Sequence, residues 1–222
     1  MIRGRRIRKR GIRNGALFAL ILLLAGCGSG PDRRSGLPTS HAPTSAQARQ
    51  CLADLRRTGI SFTPLPDRYF GGGCNAINSV KLLDIGTPVS NLGAMTCPLA
   101  EKFVGWARYG AQPAARFILG SELVRIETYG TYACRNMNGN MSGNLSEHAH
   151  SNAVDVSAFI LADGRRISVK DGWQGDDRAR QFLRVIHDSA CKRFRTVLSP
   201  DYNAAHRDHF HFDMGGKGTY CR

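Results

Sequence analysis

Residues 153–161 are Ala-Val-Asp-Val-Ser-Ala-Phe-Ile-Leu, an apolar segment in which the one carboxylate, Asp155, lies near the start. The composition predicts a strand at the centre of a sheet. Asp155 stands between two valines, and a buried carboxylate costs free energy unless a partner binds it. We therefore expect either a metal ion or a strong hydrogen-bond network at Asp155. Alternation along the strand predicts one face with Ala153, Asp155 and Ser157 and another with Val154, Val156 and Ala158.

Residues 47–222 predict an α+β domain in which a small antiparallel sheet is flanked by helices. Helical spacing of apolar residues predicts helices over 47–57, 98–118 and 176–194, and Pro113 should bend or end the second. Further strands are predicted over 123–128, 166–169 and 210–213. Ala162-Asp163-Gly164 is typical of a hairpin turn. The aromatic side chains predicted to lie in the core are Phe103, Trp106 and Phe182.

Histidine motifs lie before and after this strand. His148 precedes Asp155 by seven positions, and His209-Phe210-His211 follows much later. Two imidazoles and a carboxylate make a metal site with room left for water. Open zinc sites use three such ligands and one exchangeable position, at which water is acidified. Alternation along 210–213 places His209, His211 and Asp213 on one face of their strand.

The segment 1–26 predicts a signal peptide. Seven Lys and Arg and no acid precede the apolar stretch 16–25, which is shorter than the roughly 20 residues that span a bilayer. Leu24-Ala25-Gly26-Cys27 resembles the lipobox of bacterial lipoproteins, which implies cleavage before Cys27 and lipidation there. The alternative is an ordinary signal peptide with an incidental cysteine. Residues 27–46 then form a flexible tether, and 47–222 form a single domain.

Removal of this leader changes the charge. The 31 Lys and Arg fall by seven to 24, against 17 acids, so the net charge falls from +14 to +7. This balance suits an anionic envelope or polymer, and with no nucleic-acid motif present we predict no nucleic-acid partner.

Cysteine usage indicates an oxidising compartment. Six cysteines follow Cys27, which predicts three disulfides among 15 possible connectivities. A cysteine metal site is disfavoured because the chain has no CxxC pair. The six are Cys51, Cys74, Cys97, Cys134, Cys191 and Cys221.

Six dispersed motifs carry a resemblance to a known family. They occupy 131–136, 146–149, 152–155, 190–194, 200–203 and 206–211. Together they resemble the bacterial extensin-like C-terminal domain family over 51–222. The histidine motifs also resemble the LAS-type zinc peptidases, a group of lysostaphin-type endopeptidases, D-Ala-D-Ala carboxypeptidases and hedgehog-like domains. This second resemblance implies a hedgehog/DD-peptidase-like fold.

The resemblance implies roles for five residues. His148, Asp155 and His211 would be zinc ligands, and His209 would be the general base or the group that stabilises the tetrahedral intermediate. Asp208 lies three residues before His211, where related carboxypeptidases carry a catalytic glutamate, so it is a rival base. Strand alternation turns Asp208 away from His211, and a bulge would be needed to bring it in.

Further residues around the motifs resemble substrate-binding or supporting groups. Arg135 resembles the arginine that orients substrate, and Ser146 resembles a residue that hydrogen-bonds the terminal carboxylate of the substrate. Ser151 stands where related motifs have glycine, which serves either a positive φ or a close backbone approach. Serine adopts such a geometry only at some cost, so the local loop is expected to differ. His150 is an alternative ligand. His206 either supports a ligand or lies in a surface loop.

The resemblance implies a zinc-dependent peptidase of the cell envelope that acts on peptidoglycan stem peptides as a D-Ala-D-Ala carboxypeptidase. A peptidoglycan endopeptidase with the same centre is the first alternative. The second is a non-catalytic peptidoglycan-binding lipoprotein with a structural metal. In each case we expect a periplasmic protein held by a lipid at Cys27, with the outer membrane favoured.

Overall fold

The computed structural model describes residues 45–222, so the predicted signal peptide, Cys27 and the tether up to residue 44 lie outside the described residues. The helices of this part are α1 Ala46–Arg57, α2 Cys97–Trp106, α3 Gln112–Ala114, α4 Val169–Gly172 and α5 Asp177–Cys191. Its strands are β1 Ser61–Pro64, β2 Arg68–Gly71, β3 Cys74–Ala76, β4 Ser79–Asp84, β5 Met95–Thr96, β6 Leu123–Gly130, β7 Ala153–Leu161, β8 Arg166–Ser168, β9 Thr196–Leu198, β10 Phe210–Asp213 and β11 Tyr220–Cys221. No helix within 45–222 has the length and apolar character needed to cross a membrane.

Strand β7 is the centre of a six-stranded sheet with the order β11-β9-β10-β7-β6, in which β8 also pairs with β7. One edge of β7 pairs with β6, and its other edge pairs first with β10 and then with β8. These pairs are antiparallel, as predicted, whereas β11 is parallel to β9. The register sets Asp155 opposite His211, so two of the predicted ligands lie on neighbouring strands.

Helices α2 and α5 bury the apolar face of this sheet. Trp106 packs edge-on against Phe212 of β10, with ring centroids 5.0 Å apart, and its indole N–H donates to the Ile186 carbonyl of α5 at 2.9 Å. Buried aromatic residues contribute much of the apolar burial in a core, so the back of the sheet is well packed. The side chains predicted as core are all fully buried: Phe103, Trp106 and Phe182.

A bulge in β7 changes the predicted alternation. Val156 and Phe159 both belong to the hydrophobic core, although strict alternation puts residues three apart on opposite faces. The register with β6 shifts between Glu127 and Thr128, which leaves Ser157 as an extra residue on β7. The predicted faces therefore hold only from the start of β7 to this bulge.

The helix predicted over 98–118 forms, but it does not end at Pro113. α2 continues as a π-helical segment, Ala107–Ala111, in which the Gln112 N–H donates to the Ala107 carbonyl five residues earlier. α3, which contains Pro113, and a second π-helical segment follow. Proline has no N–H and clashes with the carbonyl four residues before it, so the change to π spacing accommodates it.

Two other predicted elements end early. The helix predicted over 176–194 ends at Cys191, and the strand over 166–169 ends at Ser168. Ser168 ends β8 because its side chain caps α4, just as Asp176 caps α5. The strands β1 to β5, β9 and β11 were not predicted.

Three disulfides join the six cysteines, which confirms the predicted number. Cys51–Cys97 joins α1 to α2, Cys74–Cys134 joins β3 to the loop after β6, and Cys191–Cys221 joins α5 to β11. Their sequence separations are 46, 60 and 30 residues, so each one stabilises the fold by about 4 kcal/mol in the chain-entropy view.

Candidate metal centre

Three side chains from distant parts of the chain converge in front of the sheet. His148 Nε2 lies 3.0 Å from one oxygen of Asp155, and His211 Nδ1 lies 2.9 Å from the other. These two ring nitrogens are 3.2 Å apart, and all three residues are buried. Their ligand atoms lie within 4.8 Å of one another, so the group could hold a metal ion. The fold therefore brings the three predicted ligand residues together.

A 3-10 turn, Glu147–His150, positions His148 just before β7. At the start of the turn, the Ser146 hydroxyl accepts from the His148 N–H at 3.3 Å. At its end, the Ser151 N–H donates to the His148 carbonyl at 3.1 Å. Ser151 has φ 54°, so the serine takes the left-handed backbone that is the first of the two reasons for a glycine here. For a serine, that conformation costs on the order of 1 kcal/mol.

An oxygen atom holds the outer nitrogen of each converging imidazole. His148 Nδ1 lies 3.2 Å from the Thr131 carbonyl, and His211 Nε2 lies 2.9 Å from a carboxylate oxygen of Asp213. Carbonyl and carboxylate oxygens accept hydrogen bonds, so these two nitrogens carry protons. His148 Nε2 and His211 Nδ1, which face Asp155, are the atoms left to bind a cation. Two imidazoles and a carboxylate are a donor set that suits transition metals.

The charges of the three residues are coupled. Burial alone would raise the pKa of the Asp155 carboxyl, but hydrogen bonds from His148 and His211 hold that pKa far below its usual range. Burial alone would lower the pKa of His211, but hydrogen bonds to Asp155 and Asp213 raise it to about 9. In the metal-free protein His211 is therefore an imidazolium at neutral pH. A cation bound at Nδ1 would replace that proton, so metal affinity should rise with pH.

His209 lies beside this group and has an orienting carboxylate of its own. Its Nε2 is 3.6 Å from an oxygen of Asp155, and its Nδ1 is 2.8 Å from one oxygen of Asp208. The Tyr129 hydroxyl lies 3.4 Å from the other oxygen of Asp208, and the Tyr129 ring packs edge-on against His209. Burial and the charge of Asp208 raise the pKa of Tyr129, so its hydroxyl stays protonated and donates. Asp208 thus contacts His209 and Tyr129, and His209 presents Nε2 toward Asp155.

Arg135 approaches from the solvent side. Its Nη2 lies 3.6 Å from an oxygen of Asp155, and 40% of its side chain is exposed. The neighbouring Cys134 is disulfide-bonded to Cys74 of β3, which restrains the loop that carries Arg135. The guanidinium can therefore contact both the centre and a molecule in solvent.

Two cavities meet at this centre, and Arg135 lines both. The first cavity, of about 350 Å³, is lined by Tyr129, Gly130, Tyr132, Ala133, Arg135, His148, Asp155, Asp208 and His209. The second cavity, of about 340 Å³, includes Arg135, Ser146, His206, His211 and Tyr220 in its walls. Every residue to which the resemblance assigns metal binding, catalysis or substrate binding lines one cavity or the other.

His206, which was expected either to support a ligand or to lie in a surface loop, is buried. Its Nδ1 lies 2.7 Å from the Asn203 side-chain oxygen, and its ring lies 5.2 Å from that of His209 and 5.7 Å from that of His211. Burial and the charges of His211 and His209 lower the pKa of His206 to about 4, so it is neutral at neutral pH. It lies in a wall of the second cavity and not on an exposed loop.

His150, the alternative ligand, lies outside the converging group. The Asn75 side-chain amide lies 3.1 Å from its Nδ1, and His150 lines a different cavity, together with Glu147 and Arg195. The 3-10 turn thus separates the two neighbouring histidines, with His148 toward Asp155 and His150 toward β3.

Sequence reasoning missed three supporting groups. Alternation places Asp213 on the same strand face as His211, and that spacing is the signal that identifies it as the partner of the ring. The Thr131 carbonyl contacts His148, and the Tyr129 hydroxyl contacts Asp208. Both contacts join residues that are far apart in the sequence and meet only in the folded chain. No sequence pattern identifies these two contacts.

Comparisons with known proteins place the chain in a family. Neither the curated proteins nor the solved structures include a significant match to the chain. The family model described as Extensin-like protein C-terminus matches residues 49–222, which is most of the chain and all of the centre described above. The chain therefore belongs to the family of extensin-like protein C-terminal domains.

Proposed function

We propose that this protein is a zinc-dependent peptidase of the cell envelope that hydrolyses peptidoglycan stem peptides as a D-Ala-D-Ala-type carboxypeptidase. The observation that carries the proposal is the convergence of His148, Asp155 and His211, in which an oxygen atom holds the outer nitrogen of each imidazole. Orienting partners of this kind are typical of histidines that bind metal. Two open cavities beside the group supply room for a peptide.

Zinc held by these three ligands would supply a Lewis acid that polarises the scissile carbonyl and acidifies water. His209 is the residue placed to move protons, since Asp208 fixes its Nδ1 and its Nε2 faces the centre. In this proposal His209 takes a proton from the attacking water and delivers it to the leaving amine. Asp208 orients His209 and is not itself the base.

Two residues of the chain would hold the substrate. The partly exposed guanidinium of Arg135 can pair with a carboxylate or polarise a carbonyl in either cavity. Ser146 lines the second cavity, although its hydroxyl already accepts from the His148 N–H. The hydroxyl proton is then available to a substrate carboxylate, which is the role that the family resemblance implies.

The test is metal analysis of the full chain together with mass spectrometry of digested muropeptides. We expect about one zinc per chain, and loss of both the zinc and peptide cleavage in His211→Ala. His150→Ala is the matched control, because it removes a histidine two residues from His148 that contacts Asn75 instead. A protein that holds zinc but leaves every muropeptide uncut would contradict the proposal and favour a binding lipoprotein with a structural metal.

A second candidate is a peptidoglycan endopeptidase that uses the same centre. It is favoured by the two cavities that Arg135 lines, since together they offer space for a peptide that continues past the scissile bond. Amidation of the substrate C-terminus decides between the two. A carboxypeptidase that pairs Arg135 with the terminal carboxylate should be slowed sharply, whereas an endopeptidase should be unaffected.

The relation to LAS-type zinc peptidases and the hedgehog/DD-peptidase-like fold are part of the same proposal. Support comes from the order of the proposed ligands along the chain and from the elements that carry them. His148 lies in a turn, Asp155 on the central strand β7 and His211 on the neighbouring strand β10. A crystal structure with zinc bound by three ligands would test both.

We also propose that the protein is periplasmic and is held by a lipid on Cys27, in the outer membrane. The support is the basic and apolar leader with its lipobox-like sequence and the three disulfides of the domain. Cys27→Ala should release the protein from the membrane fraction and abolish incorporation of labelled fatty acid. Unchanged membrane association in that variant would contradict the lipid anchor.

A further inference from the structure

An aromatic surface extends from the hairpin of β2 and β3 to residues that line the first cavity. All residues of β2 are exposed, and Phe70 leaves 48% of its surface in solvent. The Phe70 ring contacts Tyr132, with centroids 4.8 Å apart. Tyr132 lines the first cavity together with Tyr129, which is 59% exposed. We define the aromatic strip as Phe70, Tyr132 and Tyr129.

The hairpin is fixed firmly beside the cavity. Cys74 of β3 is disulfide-bonded to Cys134, the neighbour of Arg135. Asn75 of β3 contacts His150 at 3.1 Å, in the turn that precedes β7. A covalent bond and a polar contact therefore tie β3 to the residues around the centre, and β2, which carries Phe70, is paired with β3. A rigid surface loses little conformational entropy when it binds a ligand.

The chemistry of the strip favours a saccharide. Aromatic rings that stay exposed next to a cleft indicate a ligand surface, because they leave apolar area in water. Tyr and Phe present flat, rigid faces, and Tyr adds a polar tip. A pyranose ring is complementary to such a surface, since its C–H groups form an apolar face and its hydroxyls form a polar edge.

We infer that the aromatic strip binds sugar rings of the glycan strand to which the peptide substrate is attached. The inference rests on the proposed function for the identity of the polymer. A stem peptide in peptidoglycan is covalently linked to its glycan strand, and five extended residues span at most about 17 Å. The glycan must therefore pass close to a cavity that holds the peptide. Two residues of the strip line that cavity, and the partly exposed Arg135, which lines it too, suits a polymer with acidic groups.

The test measures affinity of the purified chain for peptide-free glycan strands prepared from sacculi. Phe70→Ser should weaken binding by about tenfold or more, as truncation of an aromatic anchor does. Phe117→Ser is the matched control, because Phe117 is 89% exposed, lies in the second π-helical segment and lines a different cavity. It should leave glycan affinity unchanged. Phe70→Leu keeps apolar bulk without the flat ring and should also weaken binding, which guards against a folding defect in the serine variant.

Four outcomes would overturn the inference. They are a parent chain that does not bind glycan, equal glycan affinity in the Phe70 and Phe117 variants, an equal loss of affinity for a free stem peptide, and a Phe70 effect confined to anionic phospholipid vesicles. The first two deny a saccharide surface, the third makes the strip a peptide site, and the fourth makes it a lipid surface. Phe70-dependent glycan binding by a chain that cuts no peptide would leave this inference standing and remove the proposed peptidase.

Discussion

Two groups of side chains in residues 45–222 each bring three potential metal-binding atoms within 4.8 Å of one another. The first is the centre made by His148, Asp155 and His211. The second, which we call the His187 group, consists of His187, Cys191 and Cys221 near the C-terminus. Distance alone does not distinguish the two groups.

Their surroundings do distinguish them. The thiols of the His187 group are joined in a disulfide, which removes the thiolates that bind metal. His187 itself lies 3.4 Å from the Arg222 carbonyl and 3.5 Å from the exposed carboxylate of Asp188. In the centre, by contrast, each imidazole has its outer nitrogen held and its inner nitrogen turned to a buried carboxylate. Of these two groups, the centre therefore offers donors that are oriented and chemically free as well as close.

Asp155→Asn should break the centre most completely. It keeps the shape of the side chain but removes the charge that both imidazoles face. Structural zinc sites in small peptides bind with roughly 10–16 kcal/mol, and on that scale loss of one charged ligand should weaken binding by about a thousandfold. Zinc titration against a competing chelator measures the effect. Comparable zinc affinity in Asp155→Asn would mean that the metal binds elsewhere.

The double variant Cys191→Ser, Cys221→Ser should strongly lower the stability of the fold and leave zinc binding unchanged. Loss of the crosslink over 30 residues should lower the free energy of unfolding by about 3–4 kcal/mol, which urea denaturation measures. Zinc content should not change, because the disulfide does not contribute to the centre. In the reduced parent protein the thiols are restored, and a second zinc bound there would show that only oxidation separates the two groups.

The strength of local sequence signals decides how much of the molecule could be predicted from its sequence. β7 and β10 were predicted with the bounds that the structure has, because a continuous apolar run and the alternation around His211 are strong local signals. β9 and β11, of three and two residues, carry no such signal. They form because β10 and the Cys191–Cys221 disulfide hold them in place.

The centre was predictable in its members but not in its geometry. The histidine motifs and the resemblance named its residues, and the antiparallel register then placed Asp155 opposite His211. The tautomers depend on the Thr131 carbonyl and on Asp213, and the Thr131 contact joins positions 17 residues apart. Such contacts follow from the way that loops close around the sheet, which a single sequence does not encode in any local pattern.

Asp213→Asn should separate orientation from ligation in the centre. The amide can no longer accept a strong, charged hydrogen bond from His211 Nε2, while the three ligand residues stay intact. Loss of such an orienting partner typically lowers metal affinity by about 10- to 100-fold, which is less than loss of a ligand. Asp188→Asn is the matched control in the His187 group and should leave zinc affinity unchanged. An unaltered affinity in Asp213→Asn would contradict the assignment of Nδ1 as the ligand atom of His211.

The smallest expected effect concerns the packing beside the His187 group, where Trp173 lies edge-on to His187. The Asp201 carboxylate accepts from the Trp173 indole at 2.8 Å and from Arg184 at 2.6 Å. Although burial alone would raise the pKa of Asp201, these hydrogen bonds hold it below its usual value.

The lowered pKa of Asp201 means that its carboxylate stabilises the fold above about pH 4. This contribution is lost as the pH falls through the pKa of the folded state. Asp201→Asn should therefore lower the free energy of unfolding by less than about 1 kcal/mol at pH 7, and the difference from the parent should vanish at lower pH. Urea unfolding at a series of pH values measures this, and a difference that grew on acidification would show that the carboxylate destabilises the fold.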